Sequence, residues 1–383
     1  MAGERRASTT DTAILEVVRR RTETTRVEIS RELGVTPATV TYAVKRLMAA
    51  GLVVESGLAD STGGKRASLL RLNDRARWAI GCTIDADRLS VVAVDMTGAL
   101  RSRAVLPLDP AAGPDAVAVV LDQALSMTER DGTLATTTGI GFALPTGRGD
   151  GASDLVSTLS SRLPHPTVSG SCALCAALGS FWSGEQPEQG LTATVHVDAG
   201  FGAVLLQDGQ PLRSGEGSTM DHVCVDPAGP PCHCGGSGCL HQYASSRALV
   251  DAAAGVEGLA EQLDLALTER TVDSDAVLIA MAAAHGDQRA GEILHGALIA
   301  LAQAAWGLAS SLGVDTLVFS GATLQAASGV VRETIGEHIA VRAAATGQTI
   351  RVQVSQVQPH PGAVGAAVLA LQTFMDPRPG APG

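Results

Sequence analysis

The chain has 383 residues, as a soft prior two or three domains with room for sizeable cores. It is 45% apolar and 3% aromatic, so its cores are expected to be aliphatic. No run approaches eighteen uncharged apolar residues and "MAGERRASTTDTAILEVVRRR" lacks an apolar signal segment, so neither a membrane span nor a secretory leader is expected and the composition reads as cytoplasmic.

The net charge of −11 is unevenly spread. Residues 1–78 hold 14 Lys+Arg against 9 Asp+Glu, the remainder 14 against 30, and both lysines, Lys45 and Lys65, fall in the basic part. A basic head on an acidic body suggests a head that meets a polyanion. Within it, "DTAILEVVRRR" places Ile14, Leu15 and Val18 at helical spacing, and "RVEISRELG" predicts a short second helix ended by Gly34. "VTPATVTYAVKRLMAAG" then predicts a helix capped by Thr36, with Pro37 in its first turn and an apolar stripe of Val40, Val44, Leu47 and Met48. Its other face offers Thr39, Thr41, Tyr42, Lys45 and Arg46. Two short strands, "LVVES" and "SLLRLN", flank a loop with Lys65 and Arg66 at its tip. This is the plan of a winged helix-turn-helix, whose third helix enters a major groove and whose wing grips phosphates or a minor groove. Thr36, Thr39, Thr41, Tyr42, Lys45, Arg46, Lys65 and Arg66 are the expected DNA contacts; a small protein-interaction domain is the alternative.

From Trp78 the composition turns to Val, Ala, Gly and Asp. "AIGCTIDADRLSVVAVDMTGALRS" (79–102) resembles "TATVHVDAGFGAVLLQDGQPLRS" (192–214), Asp85-Ala86 matching Asp198-Ala199 and Asp95 matching Asp208. Each copy predicts a strand, a tight turn, a second strand and another turn, which suits a duplicated two-lobed α/β protein with a cleft between the lobes. Alanine-rich helices are expected at "CALCAALGSFW", "AGEILHGALIALAQAAWGLASSLG" and "PGAVGAAVLALQTF", a buried strand at "VDTLVFSGA", and a frayed tail at 377–383.

Between these elements lies "PPCHCGGSGCLHQYAS". Three of the seven cysteines, Cys232, Cys234 and Cys239, stand among glycines that let backbone wrap around an ion. An odd cysteine count with such a cluster suits a metal site in a reducing compartment better than a disulfide framework. Zinc prefers four thiolate or imidazole ligands; His222 lies ten residues upstream, with His233, His241 and Cys224 as local competitors for the fourth position. Four protein ligands leave no open position, so the ion would be structural.

The head, the duplicated hairpin and "DHVCVDPAGPPCHCGGSGCLHQYAS" together resemble the ROK family of repressors and sugar kinases, in its repressor branch. That resemblance implies an actin- and hexokinase-like body with one structural Zn2+ per chain on His222, Cys232, Cys234 and Cys239. It implies residues 1–77 as the DNA-binding head, 78–190 as a first lobe completed by a helix at 361–376, and 191–360 as a second lobe with the zinc. It places Ser171 and Cys172 where family kinases carry Asn and the aspartate base. It also sets "DADRL", with Asp87, and "DAGFG" where glycine-rich phosphate turns belong. Thr219 and His241 take the positions of two sugar-binding glutamates, which leaves a neutral pocket of Ser171, Cys172, Thr219, His222 and His241. No catalytic activity is expected. The implied function is a regulator, most simply a repressor, that binds an inverted repeat in double-stranded DNA as a homodimer or homotetramer and answers to a sugar or sugar-phosphate effector. A ligand-independent regulator is the alternative, and a sugar kinase using Asp85 or Asp198 as base a more distant one.

Overall fold

The structure, a computed structural model, describes residues 9–59, 66–84, 88–109, 113–129, 136–144, 151–198, 200–212, 218–357 and 361–375. Lys65, Asp85, Ala86, Asp87, Ala199 and the tail at 377–383 lie outside the described residues.

The N-terminal unit runs α1 (Thr9–Arg21), β1 (Thr24–Thr25), α2 (Arg26–Leu33), α3 (Pro37–Ala49), β2 (Val53–Leu58) and β3 (Ser68–Leu72). Local chemistry sets each boundary. Thr25 and Glu28 form a reciprocal capping box at the start of α2, and Gly34 ends that helix in the left-handed region. Thr36 accepts a hydrogen bond from the Thr39 amide to start α3, with Pro37 just inside. The three strands order as β1-β3-β2, all antiparallel. The buried face of α3 is Val40, Ala43, Val44 and Leu47; Met48 is only half-buried, with the Arg26 guanidinium on its sulfur at 3.7 Å.

Next come β4 (Trp78–Ile84), β5 (Arg88–Asp95), β6 (Leu100–Pro107), α4 (Pro114–Thr128), β7 (Thr137–Leu144), α5 (Gly151–Ser160), β8 (Thr167–Ser171) and α6 (Cys172–Trp182). Their sheet has the order β6-β5-β4-β7-β8, antiparallel through the hairpins and parallel across β4, β7 and β8. The chain continues as β9 (Leu191–Val197), β10 (Phe201–Gln207), β11 (Gln210–Pro211) and β12 (Ser218–Thr219), then α7 (His241–Ala244), α8 (Ser246–Ala254), α9 (Leu259–Gln262), α10 (Val272–Ala284) and α11 (Gln288–Leu312). It closes with β13 (Thr316–Ser320), α12 (Ala322–Ala326), α13 (Ser328–Thr346), β14 (Arg351–Val354) and α14 (Pro361–Met375). The second sheet is ordered β11-β10-β9-β13-β14 with β12 on β10, repeating the strand order and the parallel and antiparallel pattern of the first. The duplicated hairpin is therefore the visible part of a duplicated sheet.

Among the described residues α11 is the one helix long and apolar enough to cross a bilayer. Ala290, Leu294, Leu298, Leu301 and Ala305 are buried in the second sheet's core, so α11 is a core helix. The last helix, α14, returns to the first sheet and lies on β4, β7 and α6. Gly81 and Gly141 allow this contact: a Cβ on either would sit 1.8 or 1.9 Å from a carbonyl oxygen of α14.

The N-terminal unit is continuous with the first sheet. One buried cluster runs from Ile14, Val18 and Leu72 to Met96, Phe181 and Trp182. The Arg19 guanidinium lies 4.2 Å from the Trp182 ring centre, Arg20 pairs with Glu188 at 3.4 Å, and Arg101 reaches Asp74 at 3.0 Å.

Candidate functional sites

Three groups of residues carry the chemistry. The first is the open face of α3. Its apolar side is fixed to α1 and α2, leaving Tyr42, 68% exposed, and Lys45 in solvent at the helix middle. Thr36 and Thr39 share a hydroxyl–hydroxyl hydrogen bond of 2.9 Å at the helix start, and the Thr41 hydroxyl donates to the Pro37 carbonyl. Arg46 departs from expectation. Its Nε and Nη2 donate to the Asp11 carboxylate at 3.2 and 2.6 Å, and Asp11 is only 5% exposed. The guanidinium ties α3 to α1 rather than standing free for a phosphate. Arg66, at the end of the wing, is exposed.

The second group is the cysteine loop. Backbone bridges Cys224–Cys239 and Pro231–Ser237 fold it back on itself, and the Cys232 amide donates to the Gly236 carbonyl at 2.8 Å. Gly238 has φ +58°, and a Cβ there would lie 1.7 Å from the Asp226 carbonyl oxygen, so no larger residue closes this turn. The Gln303 side chain donates to the Val225 carbonyl at 3.0 Å, and the Tyr243 hydroxyl to Asp226 at 3.1 Å, which fasten the loop to α11 and α7. The result gathers His222, Cys232, Cys234 and Cys239 with ligand atoms all within 4.8 Å of one another. The His222 Nδ1–Cys232 Sγ separation is 3.5 Å and the Cys234–Cys239 Sγ separation 3.6 Å. Tetrahedral zinc with bonds of about 2.3 Å to sulfur requires sulfur–sulfur edges of about 3.8 Å. Four such groups can hold a metal ion, and their donor set and spacing fit zinc. The Gly236 amide, followed by the neighbouring Cys232 and Cys239 sulfurs, holds the Cys234 thiol below its ordinary pKa, which favours the thiolate a metal needs.

Of the competing ligands, His233 and His241 form a separate triple with Cys232, whereas Cys224 joins none of the described clusters. Cys82 and Cys175 are buried in the first sheet and α6, where desolvation raises their pKa values, Cys175 to about 12; neither joins a metal-ligating cluster among the described residues.

The third group lies around β9, β12 and the start of α6. Ser171 caps α6 by accepting from the Leu174 amide at 3.1 Å, and Cys172 is the helix's first residue. Thr219 and His241 both converge on Asp221: the Thr219 hydroxyl donates to its carboxylate, and the His241 ring nitrogen Nδ1 lies 3.1 Å from its carbonyl oxygen. Asp221 also accepts from the Phe201 amide at 3.3 Å and packs against Gly200, beside the "DAGFG" turn. The expected neutral set of Ser171, Cys172, Thr219, His222 and His241 left out Asp221, whose carboxylate stands beside Thr219 and one residue before His222. The His222 and His241 rings meet edge to face with centres 5.2 Å apart, which brings the loop cluster next to the Thr219, Asp221 and His241 group.

A winged-helix head on two sheets of one strand order, with a cysteine loop on the second, defines a narrow class of two-lobed α/β proteins. The ROK family pattern matches residues 138–373, and a pattern described as winged helix-turn-helix DNA-binding matches residues 8–54. The chain belongs to the ROK family. It is 25% identical over 256 residues to the xylose repressor of Bacillus spizizenii, a match covering 62% of this chain; it spans 66% of that repressor's length. Its fold superimposes on a ROK family transcriptional regulator described as a homologue of the E. coli MLC protein, with a TM-score of 0.73, 17% identity and coverage of 95% and 96% of the two chains. It also superimposes on a ROK family glucokinase from Streptomyces griseus bound to glucose and AMPPNP, with a TM-score of 0.60, 22% identity and coverage of 77% of this chain and 99% of the kinase. The body therefore has the hexokinase-like fold of ROK proteins, and the glucokinase match leaves the head uncovered.

Proposed function

We propose that this chain is a DNA-binding transcriptional regulator, acting as a repressor, that retains the body of a sugar kinase without the kinase's reaction. In this reading residues 1–77 are the DNA-binding unit; 78–190 with the helix at 361–376 make one lobe, and 191–360 the other. The observation that carries the proposal is the face of α3: an exposed Tyr42 and Lys45 on a helix whose opposite side is fully committed to the head's core. Thr36, Thr39, Thr41 and the wing residues Lys65 and Arg66 complete the contact surface. Arg46 serves it indirectly, by holding α3 against α1. The xylose repressor similarity supports control of sugar genes.

His222, Cys232, Cys234 and Cys239 would hold one structural zinc ion per chain. When bound, the ion supplies a cross-link that closes the glycine-rich loop on itself. Absence of kinase activity rests on the residues at the turn and the helix start. Where the family kinases place an aspartate base, α6 begins with Cys172, and Asp198 spends one carboxylate oxygen on its own turn, accepting from the Gly200 amide at 3.0 Å. The pocket of Ser171, Cys172, Thr219, His222 and His241, with Asp221, is offered as the effector site for a sugar or sugar phosphate. A homodimer or homotetramer in the cytoplasm, reading an inverted repeat, fits a two-headed regulator whose head spacing follows lobe closure.

The test is binding to the DNA upstream of the chain's own gene, titrated with pentoses, hexoses, amino sugars and their phosphates. Release of the DNA by one compound, with no ADP formed from ATP and that sugar, supports the reading. DNA binding indifferent to every compound would leave a ligand-independent regulator. ADP release coupled to a sugar would restore the kinase.

A further inference from the structure

The loop is not the only place where metal-ligating groups converge. Cys172 opens α6 against the first sheet, whereas His196 lies near the end of β9 and Asp198 just beyond it, in the second sheet. One ligand atom from each lies within 4.8 Å of the others. The site is interior: Cys172 is 8% and His196 6% exposed. His196 Nδ1 and the Asp198 Oδ2 atom are both buried, and neither has a hydrogen-bond partner among the described residues. The other Asp198 oxygen holds the turn, and His196 Nε2 stands 3.9 Å from Oδ2, too far for a hydrogen bond. Ser320, paired in register with His196 on β13, likewise has a buried hydroxyl without a partner. Buried polar atoms left unsatisfied are costly and rare in folded proteins, so the orphaned His196 and Asp198 atoms call for a partner.

We propose that Cys172, His196 and Asp198 form a second divalent metal site, for zinc, which bridges the two lobes. The donor set of one sulfur, one imidazole nitrogen and one carboxylate oxygen is of the kind zinc accepts, with a fourth position open to water or a ligand. Charge closes too: a thiolate and a carboxylate neutralise the dication, and the Cys172 thiol gives up one proton to the buffer as the ion binds. An ion held by Cys172 on α6 and by His196 and Asp198 at the end of β9 would tie the two elements together. The site occupies the position where the family resemblance puts a catalytic base, and it makes lobe closure respond to metal.

The experiment is a count of zinc on the full chain, purified with zinc and passed through a desalting column, for the native protein and for C172S, D198N and C234S. Two ions on the native chain, one on each variant, is the expected result. Cobalt replacement in C234S should give the visible bands of a tetrahedral site with one thiolate, lost in C234S with C172S added. C172S and D198N are close in size to the native residues, and circular dichroism checks that each remains folded. Equal zinc on native, C172S and D198N chains overturns the proposal, as does loss of all metal from a C234S chain that circular dichroism shows to be folded.

Discussion

The two sheets share one strand order and differ in what has been attached to them. The first is built around contact with other parts of the chain: α14 lies on it through Gly81 and Gly141, and its core runs on into the head through Trp182 and Phe181. The second carries the insertion between β12 and α7, where the cysteine loop is fastened to α11 by one glutamine. The duplicated frame thus has a half packed against the head and α14, and a half whose cysteine loop can hold a metal ion. Stability should depend on glycine close approach in the first half and on a metal in the second.

That contrast can be broken in order of expected size. Cys234→Ser should remove the loop zinc and destabilise the second sheet's side by about 4 kcal/mol, the upper range for losing a metal. Melting followed by calorimetry checks it, and unchanged melting would show that the loop is held by its hydrogen bonds alone. Gly141→Val should cost about 3 kcal/mol, because its new atoms meet the α14 backbone rather than a movable side chain. Denaturant unfolding reads this, and α14 should become exposed to proteolysis before the second sheet does.

Arg46→Ala should cost about 2 kcal/mol, because it takes a two-pronged, charge-assisted partner from the mostly buried Asp11 carboxylate. It should weaken DNA binding less than Lys45→Ala does at a temperature where both variants remain folded. Thr25→Ala should cost about 1 kcal/mol through loss of the capping box. The same box gives a pH signature. The Thr25 amide and then its hydroxyl, with a lesser contribution from Thr24, hold the Glu28 carboxylate below its ordinary pKa. Its contribution is therefore present above the unfolded glutamate value and is lost as pH falls through the lower folded value. Thermal melts of native and Glu28→Gln chains should converge under acid and separate toward neutral pH.

Much of this was legible in the chain because it is local. Thr36-Pro37, the C-x-C-x4-C spacing and the period-two strands each declare themselves within a few residues. The matching of Asp95 with Asp208 anticipated a repeated sheet, although β7, β8, β13 and β14 show no such likeness in sequence. What stayed hidden depends on distant partners. Nothing near Arg46 announces Asp11, 35 residues earlier, and nothing near Trp182 announces Arg19. Asp221 stayed hidden because its partners Phe201 and His241 each lie 20 residues away in the chain. Cys172, His196 and Asp198 meet only because the two sheets do. Met48, assigned to the apolar stripe, lies at the edge of the head's core, and Ala43 was too small to stand out in the pattern.

The central claim is that α3 and the wing read DNA. It is tested most directly by the salt dependence of binding to the gene's own upstream region, for the native chain and for a chain carrying Lys45→Ala and Arg66→Ala. A steep loss of affinity with salt in the native chain, with the slope reduced by about two in the variant, is the predicted result. Equal slopes and equal affinities in the two chains would place the DNA contacts elsewhere and contradict the account.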